Sequence, residues 1–287
     1  MNLLQKYELV AKEKKSINIG IGLGDSKYHN QKILTASLNF LKNFKSTISF
    51  FGKKDYLNRS LPHTPQNKIN SQLKFVECQD PEKSIIDFLM SNSIQAIIRG
   101  SLSSSKFLKN LKQNLNGQEF NRLAILETFK EHQFFYGPVG IDECNNIENK
   151  IIFIESALKE LQEIEIVPKI SILSGGRLGD IGREDKVNQT IQDADKIVKV
   201  MKKKYPNLRI THDEILIENA VENKSNLIIA PDGISGNLIY RTLVHLGGGK
   251  AYGAIYMGID KTIIDTSRVG DHSEFYGALV LALALSK

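Results

Sequence analysis

Five of the chain's eight arginines, Arg99, Arg177, Arg183, Arg241 and Arg268, lie in or beside loops rich in Gly, Ser and Asp. Lys dominates the remainder of the 38 basic residues, so the choice of Arg at these places is informative. A guanidinium grips a phosphate or carboxylate with paired N–H bonds, whereas an ammonium acts as a point charge. The pattern points to recognition of an anionic group.

Four loops carry the candidates, each following an apolar strand-like run. "IGIGLGDS" (Ile19–Ser26) alternates three glycines ahead of a helix pattern. Asp25 stands where a dinucleotide fingerprint needs its third Gly, so close backbone packing and ligand contact both remain open. "IIRGSLSSS" (Ile97–Ser105) ends a strand in Arg99-Gly100 and then offers Ser101 and possible caps at Ser103 or Ser104. Free N–H groups at such a helix start also suit an anion. "LSGGRLGDIGRED" (Leu173–Asp185) has more glycine than a simple connection needs, and Gly lets main-chain N–H groups approach a ligand closely. Gly175, Gly176, Arg177 and Arg183 are the anion-binding candidates there; Asp180 and Glu184 offer Arg183 a surface pairing instead. "LIIAPDGISGN" (Leu227–Asn237) places Asp232 at a strand tip and Ser235 or Asn237 as caps for the next helix, with Asp232 and Asn237 as site candidates. Downstream, "IIDTSRVGDHSEF" sets Ser267, Arg268, Asp271 and Glu274 before the last helix.

Other chemistries have weaker signals. The six histidines show no HExxH spacing, and no metal site is expected. "THDE" (His212, Asp213, Glu214) reads as an acidic helix start. There is no GxSxG elbow and no phosphate-binding lysine loop of the Walker type. Cys144 is a lone intracellular-type Cys, more often inert than nucleophilic.

The elements that must position these loops alternate throughout. Strand patterns at "SINIGIG", "TISFFG", "KFVEC", "IQAIIRG", "RLAILET", "KISILS", "LRITH", "NLIIA" and "AYGAIYMG" are separated by helix patterns. Among the latter are 29–44, "PEKSIIDFLMS", "SSSKFLKNLKQNL", 148–165, 186–205, "DEILIENAVEN" and a last helix from 273. This is an α/β protein with a mostly parallel sheet, its strands apolar on both faces. A length of 287 residues allows one large or two medium domains. "GPVGIDECNN" (Gly137–Asn146) is the best-marked boundary. A net charge of +6 comes from Lys runs scattered along helices, read as solvated faces rather than a nucleic-acid footprint. No apolar run reaches the roughly 18 residues of a membrane span, and "GALVLALALS" reads as a buried helix. Two cysteines and no signal-peptide core place the chain in the cytoplasm.

The segment "NLIIAPDGISGNLIYRTLVHLGGGKAYGAIYMGIDKTIIDTSR" resembles the C-terminal signature of phosphate acetyl/butyryltransferases. Together with "RGSLSSSKFL", "FFYGPVGIDEC", "ILSGGRLGDIGR" and "DTSRVGD", it is similar over nearly the whole chain to the methanogen family of methyltransferase-related subunit X, a methanogenesis marker. That resemblance implies two α/β/α domains with a central cleft, of the phosphotransacetylase and isocitrate-dehydrogenase type, paired as a homodimer. It divides the chain into 1–144 plus 261–287 and 145–260. The family name implies methyl transfer between tetrahydromethanopterin and coenzyme M, and the acyltransferase relatives imply coenzyme A.

In those relatives the Ser-Arg pair, here Ser267 and Arg268, binds the acyl phosphate, and an Asp seven residues after the Ser helps to deprotonate the thiol. Glu274 holds that place here, with Asp271 as its rival. The expected role is therefore a group transferase holding an anionic or phosphorylated cofactor. Arg99, Arg177 and Arg268 would clamp it, Asp232 and Asn237 would shape the site, and Glu274 or Asp271 would move a proton. A phosphate acyltransferase and a non-catalytic partner of a methyltransferase complex are the alternatives.

Overall fold

The computed structural model describes residues 1–60 and 71–287. They form two compact units, one of Leu3–Phe120 with Ala251–Lys287 and one of Asn121–Lys250. These divisions fall at 121 and 251, upstream of the expected 145 and 261. Pairing explains the first of these: residues 121–127 and 133–137 form strands that pair with each other, and the latter pairs with residues 227–229.

The first unit begins with α1 (Leu3–Glu13) and continues through β1 (Asn18–Gly22), α2 (Lys27–Asn43), β2 (Thr47–Gly52) and α3 (Lys54–Ser60). Next come β3 (Leu73–Glu77), α4 (Pro81–Met90), β4 (Ala96–Ile98) and α5 (Ser104–Asn114). After the second unit the chain returns for β10 (Lys250–Met257), β11 (Thr262–Asp265) and α10 (His272–Ala284). The strand order is β3-β2-β1-β4-β11-β10. All neighbours are parallel except the β10–β11 pair. Ile19, Ile21, Ile48, Phe50, Ile97 and Ile264 are all buried, as strands covered on both faces require. "GALVLALALS" lies in α10, where every residue from Phe275 to Ala284 except Tyr276 is buried, and the helix packs on α1 and α2. Among the described residues no helix is long and apolar enough to cross a membrane.

The second unit holds β5 (Asn121–Glu127), β6 (Gln133–Gly137), α6 (Ile147–Glu163), β7 (Lys169–Ile172) and α7 (Asp185–Lys204). It ends with β8 (Arg209–His212), α8 (Ile217–Glu222), β9 (Leu227–Ile229) and α9 (Gly233–His245). Its order is β5-β6-β9-β7-β8, antiparallel only between β5 and β6. Leu227, Ile228, Ile229, Ile170 and Ile172 are buried at its centre.

Among the α-helices and strands of the described residues, α1, α3, β6 and β11 lie outside the sequence reading. One is shorter than expected. "DEILIENAVEN" turns at Asp213 and Glu214, the latter with φ of 59°, before α8 starts at Ile217.

Candidate functional site

In the first unit the parallel strands β1, β4 and β11 are adjacent, so their carboxyl ends form one edge. Three helices start beside it: α2 after Ser26, α5 after Ser103 and α10 after Asp271. Each helix start carries unpaired N–H groups and a partial positive charge, which favours an anion. Ser26 caps α2 by accepting the His29 N–H, whereas the Ser103 and Asp271 side chains make no cap bond.

Close backbone approach accounts for the glycines at this edge. A Cβ at Gly22 would overlap Leu102, and one at Gly100, whose φ is +63°, would overlap the Gly22 carbonyl. The β1 and β4 loops are thereby pressed together and then stitched by a buried network. Gly24 N donates to Ser101 Oγ at 2.8 Å, Ser101 Oγ donates to Asn30 Oδ1 at 2.6 Å, and Asn30 Nδ2 donates to the Gly24 carbonyl at 2.9 Å. Ser101 is thus a fastener between loops, and close packing accounts for Gly22 and Gly24 of "IGIGLGDS".

Arg99 is buried and enclosed by protein acceptors. Its Nε meets Asp265, Nη1 donates to the Leu102 carbonyl at 2.7 Å, and Nη2 meets the Thr266 carbonyl. It braces the strand ends on which the edge is built. Arg268, two residues past Thr266, is exposed and pairs with Asp25 at 2.7 Å. Lys32, on α2, pairs with Asp271, whose side chain is 76% exposed. Lys32 does not stand out in the sequence, and Asp25 does so only by breaking a glycine pattern, because their partners lie more than 200 positions away. The guanidinium of Arg268 holds the Asp25 carboxyl below its usual range. His29 sits on Tyr28, ring centroids 5.3 Å apart. Burial, then the charges of Lys32 and Arg268, holds its imidazole below the usual range.

Glu274 is buried at 3% exposure, and its Oε1 accepts the Ser267 N–H at 2.6 Å. Its other oxygen lies so close to Gly270 that a Cβ there would come within 2.6 Å. The carboxylate closes the Ser267–Gly270 turn, in which Gly270 N donates to the Ser267 carbonyl at 3.0 Å. Of the two expected proton carriers, Asp271 is the solvent-facing one.

In the second unit the ends of β9 and β7 carry the remaining candidates. Asp232 caps α9: its Oδ1 accepts the Ser235 N–H at 2.8 Å. Asn237 donates to the Val139 carbonyl at 2.9 Å. A Cβ at Gly233 would overlap the Gly140 carbonyl, and one at Gly236 the Pro138 carbonyl. "PDGISGN" is therefore a cap with two glycines letting α9 close on the 138–140 segment. Beyond β7, Gly175 N donates to Thr190 Oγ1 at 2.9 Å and Gly176 is buried beside Val187. Arg183 pairs with Asp180 at 2.5 Å, while exposed Arg177 makes no ion pair among the described residues. Cys144 is buried, and burial together with the nearby Glu143 carboxylate pushes its thiol up to about 12. It has no thiolate to offer near neutral pH. Among the described residues no cluster of His, Cys, Asp and Glu could hold a metal.

The phosphate acetyl/butaryl transferase family matches residues 77–283. The chain belongs to this family. Within it, the chain is 44% identical over 220 residues to the "Putative methyltransferase mtx subunit X" of Methanosarcina mazei, covering 77% of each. It is 40% identical over 212 residues to the "Uncharacterized methyltransferase MJ1371" of Methanocaldococcus jannaschii, covering 71% of this chain and 84% of that one. Solved phosphotransacylases share the fold. A phosphotransacetylase from Streptococcus pyogenes superposes with a TM-score of 0.70 at 12% identity, covering 99% of this chain and 98% of that one. A branched-chain phosphotransacylase from Enterococcus faecalis gives 0.67 at 16% identity, covering 93% and 98%. The membership in the acyltransferase family and the likeness to subunit X expected from the sequence both hold.

Proposed function

We propose that the chain is a group transferase that holds the anionic part of a donor or acceptor at the first unit's strand edge. The observation that carries this reading is the position of Arg268. It is exposed, it follows β11 directly, and it shares its edge with the starts of three helices of at least 11 residues. Lys32 adds a second cation across Asp271. Glu274 fixes the turn that presents Ser267 and Arg268, and Asp271 is the acid or base that exchanges a proton with a bound thiol. Arg99 and Ser101 act by holding the loops. Gly175, Gly176, Arg177 and Arg183 form a second, weaker anion contact on the other unit, with Asp232 and Asn237 shaping its loops.

The names of the methanogen relatives favour a methyl group as cargo, with tetrahydromethanopterin and coenzyme M as the carriers to try first. The family match favours the second reading, acyl exchange between phosphate and coenzyme A. Both readings use the same anion site, and both take a cytoplasmic homodimer as the working form. Calorimetric titration of coenzyme M, coenzyme A and acetyl phosphate into wild type and Arg268→Ala tests the site. Binding by the wild type that Arg268→Ala weakens at least roughly tenfold supports it, since a charged hydrogen bond contributes about 1.5–3 kcal/mol. Absence of binding, or indifference to Arg268→Ala, ends it. Formation of acetyl-coenzyme A from acetyl phosphate distinguishes the acyl reading. Co-purification with methyltransferase subunits and no turnover alone would point to a non-catalytic partner instead.

A further inference from the structure

The second unit contains a side-chain chain that no spacing motif announces. His212, the last residue of β8, faces Asp195 of α7 on one side and Ser174, just past β7, on the other. Asp195 Oδ1 lies 2.8 Å from His212 Nδ1, and Ser174 Oγ lies 2.8 Å from His212 Nε2. Ser174 Oγ also lies 2.8 Å from the Gly176 carbonyl.

Proton counting gives this arrangement its chemical meaning. A carboxylate at Nδ1 favours the tautomer with the proton there, which leaves a lone pair on Nε2. The single hydroxyl proton of Ser174 then has two acceptors at equal distance, Nε2 and the Gly176 carbonyl. When it points to Nε2, serine, imidazole and carboxylate stand in the order by which a hydroxyl is activated as a nucleophile. When the imidazole takes up a second proton, Nε2–H donates to Ser174 Oγ and the hydroxyl turns to Gly176. The Gly176 carbonyl is thus the resting partner that a reacting group must replace.

Two further features fit. The Gly176 N–H has no acceptor among the described residues, so it is free to face a developing oxyanion. Ser174 is buried at 1% exposure, whereas the residues that follow it, Gly175 and Arg177–Gly179, are exposed, and a Cβ at Gly179 or Gly182 would meet nothing within 4 Å. Access of a substrate to the hydroxyl requires this loop segment to move.

We infer that Ser174, His212 and Asp195 form a second reactive centre, in which Ser174 accepts an acyl group from a small activated ester. Ser174 Oγ forms the bond to the acyl carbon while the bond from that carbon to the leaving oxygen breaks. The serine proton passes to His212 Nε2 and from there to the departing oxygen or to water. Water, deprotonated by the same imidazole, then releases the acid and restores the hydroxyl. The inference uses neither Arg268 nor the first unit; it shares its loop with the weaker anion contact proposed for Gly175, Gly176, Arg177 and Arg183.

The test is incubation of the full chain with p-nitrophenyl acetate, following nitrophenol release and mapping the acetyl adduct by peptide mass spectrometry. The expected result is acetylation of the wild type at Ser174, its absence in Ser174→Ala, and a loss of roughly 10²–10⁴-fold in rate in His212→Gln, the range for a missing general base. The mapped wild-type adduct does not depend on whether any variant folds. No adduct at Ser174 in the wild type, or one formed equally fast in His212→Gln, would overturn the inference.

Discussion

The guanidinium of Arg99 and the carboxylate of Asp265 form a buried ion pair across the adjacent strands β4 and β11. Only three residues after Asp265, Arg268 reaches out into solvent. The two arginines end neighbouring strands of one edge, yet their environments assign them opposite work.

Substitution should separate them. Arg99→Ala removes the cation that faces the buried Asp265 carboxylate, which costs about 3–5 kcal/mol. Arg268→Ala breaks an exposed pair, whose contribution is about 0–1 kcal/mol. Urea unfolding midpoints of the two variants measure this. Equal losses would contradict the division of labour.

Glu274 and Ser267 provide a second test. Replacing the carboxylate by an amide in Glu274→Gln keeps the shape but weakens the bond from the Ser267 N–H. The expected loss is about 1–3 kcal/mol, as for a compromised buried charge-assisted bond. Asp271→Asn, at an exposed position, should be nearly neutral for stability while lowering any thiol-dependent turnover. Thermal melts beside a transfer assay give both readings.

Much of this was legible before the structure. The runs "TISFFG" and "NLIIA" read as buried strands because apolar side chains dominate them and no charge interrupts them, and Pro81 marks the start of α4. The short β11 and β6 escaped notice. Each has four or five residues flanked by turns, and its identity as a strand comes from partners such as Ile97 and Ile228. Arg99 read as a ligand because Arg after a strand suggests one. Its burial is decided by Asp265, 166 positions away. The Ser174–His212–Asp195 chain joins a loop, a strand and a helix with no fixed spacing, so only the fold brings it together.

Gly233 gives a sharp packing prediction. Its missing side chain lets the start of α9 lie directly on the Gly140 carbonyl. Gly233→Ala forces backbone apart from backbone, where no side chain can yield, and should cost at least about 1–3 kcal/mol. Gly179→Ala, with open space around it, serves as the control and should unfold near the wild-type midpoint.

Two histidines lower stability on acidification, against the buried Glu143, whose carboxyl is held above its usual range by burial and works the other way. Burial holds both His29 and His132 below the usual imidazole value of 6.5 in the folded chain. Between that value and their folded values the unfolded chain binds more protons, so stability rises with pH there and falls on acidification. The histidines should therefore lower unfolding midpoints as the pH goes from 7 toward 5. His132→Gln should flatten the slope, because its imidazole is the more enclosed of the two. A slope that His132→Gln leaves unchanged would refute the assignment.

The pairing of Arg268 with Asp25 makes the last prediction. An anion arriving at Arg268 must displace the Asp25 carboxylate, which already occupies the guanidinium at 2.7 Å and adds like-charge repulsion. Asp25→Asn keeps the side chain's size, removes the repulsion and leaves at most a weaker, uncharged acceptor to displace. It should tighten binding of acetyl phosphate or inorganic phosphate by roughly 2–5-fold, the scale of an exposed pair worth about 0.5–1 kcal/mol. Raising the salt should shrink the difference, since screening acts on exposed charges. Weaker binding in Asp25→Asn would mean that the carboxylate orients Arg268 for its ligand rather than competing with it.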